Sequence, residues 1–188
     1  VEIPPAARPA LAPTPPDIRL HPHEAERLAS LRSYQIYGAA ADDTFDALTR
    51  LAARTCYTPI SLITLVEQDT QWFLSHHGFS DTGGDRAGSL CGDVVASGKP
   101  LVVADLTRVA RYASIPLVTG PEGLRSYAGV PLVGRDGLPI GTLCVLDIAP
   151  RDFTEDQLRS LHDLAEQVVT ALELRRFDLS SGRLTSTG

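Results

Sequence analysis

Lysine is almost missing from this chain: Lys99 is the only one, and the other basic residues are arginines scattered with no run longer than Arg175 and Arg176. With a formal charge of -6, the sequence has no cluster of positive charge to lie along a phosphate backbone, so nucleic acid is not an expected partner. The arginines read instead as solvated faces and ion pairs. Long apolar runs are lacking too. Stretches such as Ile60 to Val66 fall far short of the ~20 residues that cross a bilayer, and no basic, apolar, small-residue leader precedes the domain. No membrane partner is expected, and a cytoplasmic location is. Cysteine is scarce: Cys56, Cys91 and Cys144 form no Cys-x-x-Cys pair, which argues against a zinc site, a dithiol motif and a disulfide framework. Cys56 and Cys144 read as small core hydrophobes. Cys91 stands apart, in "GSLCGDVVASGKPLVVADL", between a small-residue turn and the start of a short helix.

What is present is a core. Hydrophobic residues make up 43% of the 188 and charged residues 21%, the balance of one folded domain with tails. The Pro- and Ala-rich opening, residues 1–22, reads as a flexible arm, residues 23–176 as the domain, and 177–188 as a disordered tail. A helix is expected from His23 to Tyr37, with Leu28, Leu31 and Tyr34 on one face and Gly38 as its stop. A second runs from Asp43 to Cys56, its apolar residues recurring every three or four positions, with Asp43 as its cap. "ISLITLVEQDTQWFLSHHGF" reads as a hairpin, "SDTGGDRAGS" as a loop, "DVVASG" as a helical turn or two, and "PLVVADL" as a strand. A second hairpin, "SYAGVPLVGRDGLPIGTLCVLD", turns through Gly134 to Gly137.

The closing helix begins with a capping box, Thr154 and Gln157, and a hydrophobic staple, Phe153 and Leu158. Leu158, Leu161, Ala165, Val168 and Leu172 then form an a/d seam. Leu164, Val169 and Leu174 widen the apolar surface. A second copy of the chain is its expected cover; Leu28 and Leu31 of the first helix are the intrachain alternative. The order of elements implies an α+β fold, a mostly antiparallel sheet with terminal helices on one face and irregular loops on the other.

Taken together, "PISLITLVEQDTQWFLSHHG", "SLCGDVVASGKPLVVADLTRVARYASIPLVTG" and "LRSYAGVPLVGRDGLPIGTLCVLD" before "FTEDQL" resemble the GAF domain family, nearest its bacterial signalling subgroup, over Glu24 to Arg176. The resemblance implies a six-stranded antiparallel sheet, terminal helices on one face that often pair two chains, and a pocket on the other face roofed by the middle segment. It also implies where that pocket is lined: Trp72, Ser89, Cys91, Asp93, Asp105, Arg111, Tyr112, Arg125, Tyr127 and Thr142 fall in the lining segments. Aromatic walls with a few polar groups suit an unidentified small molecule. Arg111 and Arg125 can orient a carboxylate or phosphate, or pair with Asp105 within the loop.

Cys91 has two readings, a neutral pocket wall or a thiolate favoured by the start of the helix. Subgroup members often carry a His two residues after this Cys; here Asp93 stands there, and a carboxylate raises a thiol pKa. The chain also resembles, more distantly, the free methionine-(R)-sulfoxide reductases around "LCGDVVASGK". Their chemistry needs a resolving Cys, and 79–90 and 111–127 contain none. The cofactor is left unknown, with no metal, bilin or cyclic-nucleotide signature: the "NKFDE" signature of cyclic-nucleotide binding and the "Cys-His" setting of a bilin are absent, His76 and His77 point to opposite faces of a strand, and Asp81 and Asp85 lie outside any calcium-loop pattern. The sequence therefore reads as a non-catalytic sensory or regulatory domain that dimerises through its terminal helices. A thiol reductase or redox sensor using Cys91, and a ligand-free dimerisation module, are the alternatives.

Overall fold

In the computed structural model, residues 18–36 and 43–181 are described. Most of the expected arm, the stop at Gly38 and residues 182–188 lie outside them. The elements are α1 (Glu24–Ser33), α2 (Asp43–Cys56), β1 (Ile60–Val66), β2 (Thr70–His77), β3 (Gly83–Asp85), α3 (Leu90–Ser97), β4 (Leu101–Val103), α4 (Pro116–Thr119), β5 (Ser126–Val133), β6 (Pro139–Asp147) and α5 (Glu155–Ser180), with a 3-10 turn at Leu106–Arg108. The six strands make one antiparallel sheet in the order β3-β2-β1-β6-β5-β4. The fold is therefore α+β.

Alternation along the central strands divides the interior in two, because neighbouring side chains of a strand point to opposite faces. Ile63, Leu65, Leu143 and Val145 face α2 and α5, joining Phe45, Ala52, Leu161 and Val168 in one core cluster. Leu62, Val66, Cys144 and Leu146 face the other way and pack with Val94, Leu106 and Tyr112. β3 lies in the Gly- and Asp-rich stretch that reads as a loop. A strand of Gly-Gly-Asp has no side-chain period to reveal it, and a Cβ on Gly83 would come 2.4 Å from the Gln71 carbonyl oxygen, so that edge is closed to larger residues.

The helices hold two departures from the sequence reading. α1 stops at Ser33, short of Tyr37, and Gln35 takes a positive φ of 47°. Tyr34, just past its end, donates its hydroxyl to buried Glu173 at 2.5 Å, with the Arg176 guanidinium over its ring. α5 begins with the expected capping box and carries on through Ser180, four residues past the 176 boundary. Leu161, Ala165, Val168 and Leu172 are all buried within this one chain, against α2 and the sheet. Leu28 and Leu31 are buried as well, while Leu51 and Leu174 stay 48% and 61% exposed. Among the described residues, no helix is long and apolar enough to cross a membrane.

Candidate functional site

The site is built on the sheet face opposite the terminal helices. α3 forms its roof. Ser89 caps that helix by accepting from the Gly92 amide at 2.9 Å, and its hydroxyl donates to Gln71 Oε1 of β2 at 2.7 Å, so one residue both starts the helix and ties it to the sheet. Gly98 ends α3 in the left-handed region at φ 62°, where glycine has no Cβ to clash. The loop before α3 is pinned by Arg86, whose buried guanidinium donates to Glu24, to the Glu67 and Gln68 carbonyls and to the Arg19 carbonyl.

Between roof and sheet lies a cavity of about 270 Å³. Its floor includes Leu62, Phe73, Tyr127, Cys144 and Leu146, its roof Leu90 and Cys91, and a further wall Ile115, Leu117 and Leu124. Gln71, Ser89, Asp81 and Asp85 supply polar groups, and among the described residues no Lys, Arg or His lines it. Its electrostatic character is therefore apolar with an acidic margin.

Three of the ten residues expected at the pocket line this cavity: Ser89, Cys91 and Tyr127. The other seven do not, each for a physical reason. Trp72 is half-buried against the helix-side core, because it alternates with Gln71 and Phe73, which face the cavity. Asp93, Arg111 and Tyr112 bind one another: Arg111 grips Asp93 through Nε at 2.5 Å and Nη2 at 2.7 Å, and the Tyr112 hydroxyl donates to Asp93 at 2.7 Å. Burial and this contact push the Tyr112 hydroxyl up to about 12, and the Asp93 hydrogen bond raises Arg111. Asp105 caps the 3-10 turn by accepting from Thr107 and pairs with Arg108, not with Arg111 or Arg125; the Thr107 hydrogen bond lowers its carboxyl. Arg125 donates to the carbonyls of Val118 and Leu124. Thr142 is wholly buried in β6, and its hydroxyl lies beside the Cys91 and Cys144 thiols. Arg111 is thus paired with a carboxylate, and Arg125, bound through Nη1 to backbone carbonyls, lies outside the cavity lining.

The thiols hold a relation absent from the sequence reading. Cys91 Sγ lies 3.8 Å from Cys144 Sγ, 3.6 Å from the Tyr127 hydroxyl and 3.7 Å from Thr64 Oγ1. The hydrogen bond from Cys144, aided by nearby hydroxyls, outweighs burial and draws the Cys91 thiol downward, while the same contact and burial push Cys144 upward. Asp93 does not oppose this, because Arg111 neutralises its charge. Alternation on β6 is the signal that places Cys144 on this face; what hangs over it depends on where α3 folds. Among the described residues, no group of three His, Cys, Asp or Glu is placed to hold a metal, and His76 and His77 are both exposed.

An antiparallel sheet backed by terminal helices, with a helix-roofed cavity on its free face, defines a class of α+β module. The GAF domain family matches residues 40–172, and the chain belongs to it. A cyclic di-GMP phosphodiesterase of Pseudomonas aeruginosa is 33% identical over 156 residues, covering 81% of this chain and 26% of that protein; the chain thus spans about a quarter of that relative. The GAF domain of an Acinetobacter phosphoenolpyruvate-protein phosphotransferase superposes with a TM-score of 0.61 at 18% identity, over 85% of this chain and 98% of that one. The free methionine-R-sulfoxide reductase of Neisseria meningitidis, solved with its substrate, also gives 0.61, at 20% identity over 87% and 100%. At these identities the structural likenesses speak for the fold alone.

Proposed function

We propose that this domain is a non-catalytic sensory or regulatory module of bacterial signal transduction, and that the roofed cavity receives a small molecule. The cavity carries the reading: about 270 Å³ of mostly apolar walls with a few polar groups is the form of a small-ligand site. The relationship to a phosphodiesterase of cyclic di-GMP supports a signalling context. The lining narrows the ligand class. With Arg111 paired to Asp93, Arg125 outside the cavity lining, and Asp81 and Asp85 within it, a neutral or cationic, largely apolar molecule fits better than a carboxylate or phosphate. Native mass spectrometry of the protein against a metabolite panel tests this. Retention of a neutral or cationic compound, lost on Leu124→Trp, is the expected result; anionic compounds alone, unaffected by that change, would reverse the assignment.

Homodimerisation through the terminal helices belongs to the same proposal on a narrower footing. The seam of α5 is buried within the chain, so any pairing rests on exposed residues such as Leu51 and Leu174. Sedimentation at tens of micromolar should show a dimer that Leu174→Glu dissociates. A monomer mass for the unaltered protein removes pairing from the proposal.

A further inference from the structure

Two of the three cysteines, all free, come from distant parts of the chain and meet at one point. Cys91 is in the first turn of α3, on the roof, and Cys144 is central in β6, on the floor. Their sulfurs are 3.8 Å apart, and both line the cavity, so a small reagent entering it reaches both. Cys56 lies on the helix side of the sheet, its thiol 4.0 Å from the Gln157 carbonyl oxygen. Around the pair stand the hydroxyls of Thr64 and Tyr127 and, on the same strand as Cys144, that of buried Thr142.

We propose that Cys91 and Cys144 are an oxidisable pair that closes to a reversible disulfide when a small hydroperoxide enters the cavity. The Cys91 thiolate sulfur attacks one peroxide oxygen, the O–O bond breaks, and Cys91 becomes a sulfenic acid. The departing oxygen takes a proton and leaves as water or an alcohol. Cys144 then gives up its proton and its sulfur attacks the Cys91 sulfur; the S–OH bond breaks, the S–S bond forms, and hydroxide leaves as water with that proton. One hydroperoxide gains two electrons and the two thiols lose them. A thiol reductant reverses the step by exchange.

The roles of the two sulfurs follow from their surroundings. The start of α3 and the neighbouring hydroxyls favour negative charge on Cys91, consistent with its lowered thiol pKa. Cys144 keeps the proton until the second step and is already in van der Waals contact. The sulfurs must approach from 3.8 Å to about 2.05 Å, a motion that draws the first turn of α3 toward β6. This chemistry does not depend on the cavity holding a metabolite.

The test uses the unaltered protein, reduced, then treated with hydrogen peroxide and alkylated under denaturing conditions. Expected are a mass loss of about 2 Da before alkylation, loss of two alkylatable thiols, a linked peptide joining Cys91 to Cys144, and reversal by dithiothreitol. Cys56 remains alkylatable. Cys144→Ala should instead stop at a dimedone-reactive sulfenic acid on Cys91. The proposal is overturned if Cys91 gains about 32 Da as a sulfinic acid while Cys144 stays alkylatable, or if both thiols survive peroxide that oxidises free cysteine.

Discussion

At the scale of single residues, the floor of the cavity depends on one missing methyl group. Tyr127 is wholly buried, and a Cβ built on Gly129 would sit 2.1 Å from its hydroxyl. Both residues point to the same face of β5, so glycine at 129 lets the tyrosine lie flat and reach Cys91. Gly129→Ala should lift the ring into the cavity, destabilise the fold by about 1–3 kcal/mol as overpacking does, and raise the Cys91 thiol pKa. Thermal unfolding and the pH profile of iodoacetamide reaction read these effects; an unchanged profile would mean the tyrosine hydroxyl does not hold the thiolate. Residue detail was the least legible in the sequence. The family resemblance led to Ser89, Cys91 and Tyr127. Asp93, Arg111 and Tyr112 fell in the right segments but satisfy one another, and no spacing along the chain announces an ion pair across a loop.

At the scale of elements, α5 shows why a pattern can be read correctly while the surface that covers it stays open. Over two heptads, an a/d stripe of period 3.5 and an amphipathic face of period 3.6 drift apart by only about 40°, so the residues that suit a coiled coil equally suit a sheet. The buried seam shows that the sheet and α2 take it. Leu172→Ala should therefore cost about 2–5 kcal/mol, as other buried leucines do. The urea midpoint should fall at any protein concentration, with the sedimentation mass unchanged; a loss of stability that vanished on dilution would place the residue between chains. The hairpins and the capping box of α5 were legible because turn and cap chemistry is local. β3 was not, because its pairing is made by backbone alone.

At the scale of the whole molecule, one polar network joins the helix layer, the sheet and the rim of the cavity. Glu24 of α1 accepts from Arg27 at 2.7 Å and from Arg86 at 2.5 Å. Arg27, wholly buried, also donates to the Val66 carbonyl at the end of β1, and Arg86 precedes the cavity-lining Ala87 and Gly88. Burial raises the Glu24 carboxyl, but the hydrogen bonds from Arg27 and Arg86 outweigh it and hold it at about 2. A carboxyl depressed on folding stabilises the native state above its unfolded pKa of about 4.3 and loses that contribution as pH falls toward the folded value. The stability difference between the protein and Glu24→Gln should be level near neutrality and shrink between about pH 4 and pH 2. A difference independent of pH would show that Glu24 gains nothing from its arginines.

The lone tryptophan gives the molecule an optical consequence. Trp72 is half-buried against the helix-side core, while Gln71 and Phe73, its neighbours on β2, line the cavity. Its emission is a remote signal, blind to direct quenching from inside the cavity and sensitive to how tightly the helices press on the sheet. A compound that fills the cavity and shifts that emission has sent its effect through the thickness of one strand. A compound that binds with no spectral change has been accommodated by the roof alone, and titrations of each kind would sort ligands that are merely held from those that are transmitted.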